Sequence, residues 1–304
     1  MIILPLILFF AMGYLFKACF AYPEQNGQIL NRLILNVTLP ATIFLASSKA
    51  GDFSQAFLLP IAALLIQLSL FALFLLISRK LKLPSAMECV FITAPLITNT
   101  LLFMIPFFYL AYGEQGVTRV ILYDIGNAVT IYFVAQTIFR FSGSDKFNFG
   151  NSIKTILTSI PLWAFALGLL CAGLDLTVPQ AIQEPLQIMQ EVNVFLPMFA
   201  LGFYFRPALA KIRLVMFTIL ARSIFGLLIG FGVSFFFANP MDKLTVLMGA
   251  AAPIGILSLV FSSEYAKDTD YASNIASYSL ILGLIVFTAI DYYFKFLGII
   301  TTWE

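Results

Sequence analysis

Thr93-Ala94-Pro95-Leu96-Ile97-Thr98-Asn99-Thr100-Leu101-Leu102-Phe103 and Ala251-Ala252-Pro253-Ile254-Gly255-Ile256-Leu257-Ser258-Leu259-Val260-Phe261 are two readings of one pattern. Each is an apolar segment with a proline in its interior, flanked by small and hydroxyl residues. An interior proline removes a backbone N–H and clashes with the preceding turn, so a helix kinks or breaks there. Within a bilayer, broken backbone is tolerated only against protein or a water-filled cavity. Two interrupted helices at corresponding places in two halves point to the binding site of a transporter.

The surrounding chain supplies the membrane context. Hydrophobic residues make up 61% and charged residues 11% of 304 positions, a composition that leaves no surface for a water-soluble globule. The apolar residues fall into about ten blocks of the length needed to cross a hydrocarbon core of about 30 Å. Their spans are 2–21, 29–48, 54–77, 86–112, 118–140, 153–174, 185–205, 212–237, 243–266 and 271–297. The first begins without a basic region and reads as a helix rather than a cleaved leader. Cys19, Cys89 and Cys171 are too scattered for a disulfide framework, and the absence of histidine rules out a histidine metal site or relay. No cofactor and no nucleic-acid partner are expected.

Lysine and arginine set the expected orientation. Arg79, Lys80, Lys82, Arg140, Lys146, Lys154, Arg206, Lys211, Arg213 and Lys267 fall on one side, against Lys49, Arg119, Lys243 and Lys295 on the other. The positive-inside rule then puts both termini outside.

Other matches extend the duplication. Asn36-Val37-Thr38-Leu39-Pro40 recurs as Asn193-Val194-Phe195-Leu196-Pro197 at an offset of 157; Pro95 and Pro253 are 158 apart, and Pro5 and Pro161 are 156 apart. Five segments per half is an odd number, so the second half must lie inverted relative to the first. The expected fold is therefore an all-α membrane protein of about ten transmembrane helices in two five-helix inverted-topology repeats. Those repeats are 1–141 and 153–304, with a short linker at 142–152, and helices 4 and 9 are the broken crossover pair. Pro95, Pro106 and Pro253 mark the crossover.

These residues also resemble a known family. Asn99-Thr100-Leu101-Leu102-Phe103-Met104-Ile105-Pro106 is similar to the helix-4 pattern of the auxin efflux carrier family, which belongs to a larger group containing bile acid, arsenite and riboflavin transporters. Pro253 through Tyr265 resembles the family's helix-9 crossover, and Asp124-Ile125-Gly126-Asn127-Ala128 its helix-5 segment. The sequence departs from the family in the bulk of its run between Asn-Thr and Pro, in Leu257 opposite Asn99, and in its short central linker. The resemblance implies a bacterial inner-membrane carrier of organic anions, a secondary active transporter or a uniporter, working by an elevator motion. Helices 3–5 and 8–10 would form the moving core, and helices 1, 2, 6 and 7 a dimeric scaffold. Dicarboxylates such as malate or malonate and aromatic carboxylates such as indole acetate are the implied substrates.

Each polar residue inside the apolar spans has two readings. Half-helix N-termini at the breaks favour an anion, and Thr98, Asn99, Thr100 and Ser258 either bind it directly or satisfy freed backbone groups. Asp124 and Asn127 share a helix face; they either couple a proton or sodium ion to transport or hold a structural hydrogen bond. Arg222 lies deep in 212–237, where it contacts the substrate or is neutralised by Asp124 or Glu191. Glu191 and Asp291 read as solvated span ends. Asn36 and Asn193 read as interhelical contacts, and Gly226 and Gly230 as a close-packing pair. A channel or a transporter-like sensor is the alternative function. With neither a phosphate-binding loop nor a nucleophile elbow, ATP-driven pumping and catalysis are not expected.

Overall fold

The computed structural model describes residues 3–20, 25–49, 56–141 and 149–298. Most of the expected linker, including Lys146, lies outside them. The described residues are helical, with one isolated antiparallel bridge between Thr98 and Ile254. The α-helices are α1 (Ile3–Phe20), α2 (Gln25–Leu33), α3 (Leu39–Ser48), α4 (Leu59–Leu81), α5 (Ser85–Thr93), α6 (Ile105–Val129) and α7 (Gln136–Phe141). After the gap come α8 (Phe149–Leu157), α9 (Ile160–Gly173), α10 (Gln180–Tyr204), α11 (Ile212–Ser234), α12 (Pro240–Ala251), α13 (Leu257–Glu264) and α14 (Thr269–Phe296).

Six helical runs are long and apolar enough to cross a membrane by length and composition: Ile29–Ser48, Ala56–Leu81, Thr100–Arg140, Gln180–Tyr204, Ile212–Ser234 and Thr269–Phe296. The third has 41 residues and would reach about 60 Å if straight, twice the hydrocarbon thickness. It is not straight. Gly113 has φ 62° and ψ −155°, a backbone conformation that side chains oppose, so the run turns there into two arms. The turn falls in the gap between the expected spans 86–112 and 118–140, and it places Asp124 about three turns inside the second arm.

Proline accounts for other irregularities. Wide π turns at Ile34–Thr38 and Thr100–Met104 lie just before Pro40 and Pro106. A proline ring crowds the carbonyl four residues earlier, here Asn36 and Leu102, and a widened turn relieves that crowding. The matching Pro197 lies inside an uninterrupted α10.

Two groups of helices pack internally. In one, α1 lies along α10, and α3 along α9; in the other, α4 packs on α6, and α11 on α12 and α14. Aromatic rings join the sequence halves inside the second group, where Phe287 of α14 meets Phe103 and Phe107 edge-on at 5.0 and 5.2 Å. Gly226 lets α11 approach the Ala250 carbonyl so closely that an added Cβ would collide with it. Asn193 accepts from Thr38 at 2.8 Å and donates to Thr42 at 2.8 Å, an interhelical role that matches its sequence reading. Asp291 differs from its reading. It is buried, and accepts from Tyr112 and, at 2.8 Å, from Lys295.

Candidate functional site

Both proline segments are interrupted. After α5 a 3-10 turn at Ala94–Leu96 gives way to extended backbone at Ile97, and the chain re-enters a helix only at Thr100. α12 ends at Ala251, Ala252 is extended, and α13 starts at Leu257. Pro95 and Pro253 thus lie within the breaks, while Pro106 follows the widened turn at the head of α6.

The two breaks satisfy each other. Asn99 N–H donates to Pro253 O at 2.9 Å, and Gly255 N–H donates to Ile97 O at 2.6 Å. Ile254 N–H finds Ser279 Oγ at 3.0 Å. Backbone polar groups with no access to water need partners, and a two-rung antiparallel contact supplies them while holding the breaks face to face.

A polar cluster surrounds this contact. Asn127 Nδ2 donates to Thr98 O at 3.2 Å, Thr100 Oγ1 at 3.3 Å and Asp124 Oδ1 at 3.1 Å. Thr100 Oγ1 also donates to Asp124 Oδ1. Gln67 of α4 donates to Thr98 Oγ1 and, at 3.5 Å, to Asn127 Oδ1. Asn99 is 5% exposed, and its Nδ2 has no hydrogen-bond partner among the described residues; the same holds for Gln67 Oε1 in this cluster.

A cavity of about 300 Å3 opens at this cluster. Thr98, Asn99, Thr100, Asp124 and Asn127 line one side. Asn31 and Asn36, with Thr158 and Ser159 at the α8–α9 junction, line the other, and Tyr132, Leu101 and Val260 contribute apolar surface. The cavity therefore lies between the two packed groups of helices.

The structure brings five of the sequence candidates to this cavity, but Ser258 and Arg222 are not among its lining residues. Ser258 is buried and donates to Gly255 O at 2.7 Å, closing the first turn of α13. Arg222 is 1% exposed and donates through Nη1 to Ala250 O at 3.1 Å, at the C-terminal end of α12. Neither Asp124 nor Glu191 accepts from it, and its Nε and Nη2 have no partner among the described residues.

Sequence reasoning missed Gln67, whose signal was present as the one amide deep inside the third apolar segment. It also missed the wall at Asn31, Thr158 and Ser159, for which no motif exists. Arg119 was counted as a loop charge. It is instead buried, with Nε 2.6 Å from Asp242 Oδ1, an ion pair tying α6 to α12, and so drops out of the orientation count.

A family model described as membrane transport protein matches residues 1–290. An uncharacterized transporter of Methanothermobacter thermautotrophicus is 25% identical over 293 residues, spanning 93% of this chain and 94% of its own. An uncharacterized transporter of Methanocaldococcus jannaschii is 26% identical over 281 residues, spanning 88% of this chain and 89% of its own. Both relatives are archaeal, so they support the family and not the narrower bacterial expectation. A membrane transporter family is not a class of enzymes, and no catalytic activity is indicated.

Proposed function

Because this chain belongs to the membrane transport protein family of auxin efflux carriers, we propose that it is a secondary carrier of small organic anions that binds carboxylates at the crossover cavity. The observation that carries this reading is Asn99, a buried amide lining a cavity framed by two half-helix breaks, whose Nδ2 has no acceptor among the described residues. A buried donor without a partner costs about 1–3 kcal/mol, a cost that a bound carboxylate removes. The N-terminal ends of the helical segments after both breaks add partial positive charge on the same side. The apolar walls suit a carboxylate with a hydrocarbon or aromatic body.

Asp124 lies on the same cavity, where its charge opposes an incoming anion. Co-transport of a proton on Asp124, or of a sodium ion between Asp124 and the oxygens near Asn127, would remove the repulsion. In this reading the anion and one cation move together. The two readings of the cation are separated by whether flux follows pH or sodium.

The ten-crossing inverted repeat and an elevator motion belong to the same proposal. The cavity lies between a group containing α1, α3, α9 and α10 and a group containing α4, α6, α11, α12 and α14, which is where a moving core would slide against a fixed scaffold. We assign the scaffold to the first group, its homodimeric partner to the scaffold side, and the chain to a plasma membrane with both termini outside. Counterflow of a labelled carboxylate in proteoliposomes tests the function. Saturable exchange, competed by one class of carboxylates, is expected. Flux that rises linearly with concentration would instead make the chain a channel.

A further inference from the structure

α12 has 12 residues and stops at the crossover, while its neighbours α11 and α14 run for 23 and 28. A groove of about 560 Å3 lies beside the first turns of α12, lined by Phe231 of α11 and Phe235 just past its end, by Ile285, Ala289 and Tyr293 of α14, and by Lys243 and Leu247 of α12. Residues four apart share a helix face, so each wall is a continuous apolar stripe.

One charge lines this groove. Lys243 of α12 is half-buried there, and no lining residue is acidic. The nearby carboxylates are committed elsewhere: Asp242 to Arg119 at 2.6 Å, and Asp291 to Tyr112 and Lys295. Among the described residues, none accepts from the Lys243 ammonium.

We propose that the groove holds a single anionic phospholipid, with an acyl chain along the apolar walls and the phosphate on the Lys243 ammonium. Water does not fill a space with these walls, because it needs two or more polar partners. A lysine ammonium takes phosphate as a point charge, and a partly exposed ion pair of this kind shifts affinity up to about fivefold. A neutral lipid fills the groove but leaves the ammonium unpaired. The lipid has a direct line to the crossover, since Leu247 lies one turn before Ala251 on the half-helix that leads to Pro253. Binding stands independently of the transport reading, whereas any effect on flux rests on it.

The test uses the full chain purified in detergent. Retained lipid is read by native mass spectrometry, and thermal stability is titrated with phosphatidylglycerol, phosphatidylcholine of the same acyl chains, and glycerol phosphate. The expected result is one bound phosphatidylglycerol and a rise in Tm with phosphatidylglycerol, with the choline lipid about fivefold weaker and glycerol phosphate without effect. Lys243→Gln should erase the preference between headgroups while keeping the Tm of the lipid-free protein. Ala289→Trp, which fills the groove, should abolish retention of both lipids. Equal binding of the two headgroups by the unaltered protein, an unchanged preference in Lys243→Gln, or full binding by Ala289→Trp would each overturn the proposal. Stabilisation by glycerol phosphate would identify a free-anion site instead, and a dimer that loses its partner in Ala289→Trp would identify the groove as a contact between copies.

Discussion

Replacing Asn99 by alanine separates substrate contact from structural support. Its backbone N–H, which donates to Pro253 O at 2.9 Å, survives the change, so the crossover rungs persist. Its Nδ2 has no partner among the described residues, and deleting an unpaired buried donor removes no hydrogen bond to them. Stability should therefore hold or rise slightly, since a desolvated donor costs about 1–3 kcal/mol when it is left unmet. The bound substrate loses a hydrogen bond to a charged group, worth about 1.5–3 kcal/mol, which corresponds to a rise in Kd of about 10- to 150-fold. Isothermal titration or scintillation proximity binding in detergent measures the affinity, and a melting curve on the same sample measures the stability. Asn99→Asp keeps the shape but places a charge facing the anion, and should bind more weakly still. An unchanged Kd in Asn99→Ala, or a Kd that rises only in step with a lower Tm, would refute Asn99 as a ligand.

Three further perturbations distinguish the roles assigned to buried charges and their neighbours. Asp124→Asn should flatten the dependence of transport on pH or sodium while leaving anion binding in place; full retention of that dependence would move the coupling site elsewhere. Arg222→Gln should lower Tm, because Ala250 O at the end of α12 loses its donor, with Kd changed less than threefold. A loss of affinity in a protein of normal stability would return Arg222 to the substrate. Asp242→Asn removes the carboxylate that accepts from the buried Arg119 Nε and should lower Tm, by up to about 3–5 kcal/mol of stability for breaking a buried pair. A Tm equal to that of the unaltered chain would show that the pair is not needed.

The residues that a sequence marks well are those whose chemistry is intolerable in their place. Pro95 and Pro253 inside apolar runs announced broken helices, and Asn99, Thr100, Asp124 and Asn127 were conspicuous as polar groups in hydrocarbon. Position in space was less legible. Asp291 and Arg119 looked peripheral because they lie near the ends of apolar runs. Burial there is set by Tyr112 and Asp242, which are distant in sequence, and by Lys295 one turn along the same helix face. Gly113 carried the turn between two helical arms, but glycine alone does not signal a positive φ. The far wall of the cavity, at Asn31 and Thr158–Ser159, comes from the juxtaposition of two helix ends, which no local pattern encodes.

The central claim is that an organic anion moves through the crossover cavity bound at Asn99, accompanied by a cation at Asp124. Uptake of labelled carboxylates into proteoliposomes, measured across a panel at several pH values with and without sodium, tests it most directly. A saturable signal for one class of carboxylates is expected. Its half-saturation should rise at least tenfold in Asn99→Ala, and its pH or sodium response should vanish in Asp124→Asn. A saturable signal that both variants reproduce unchanged would contradict it.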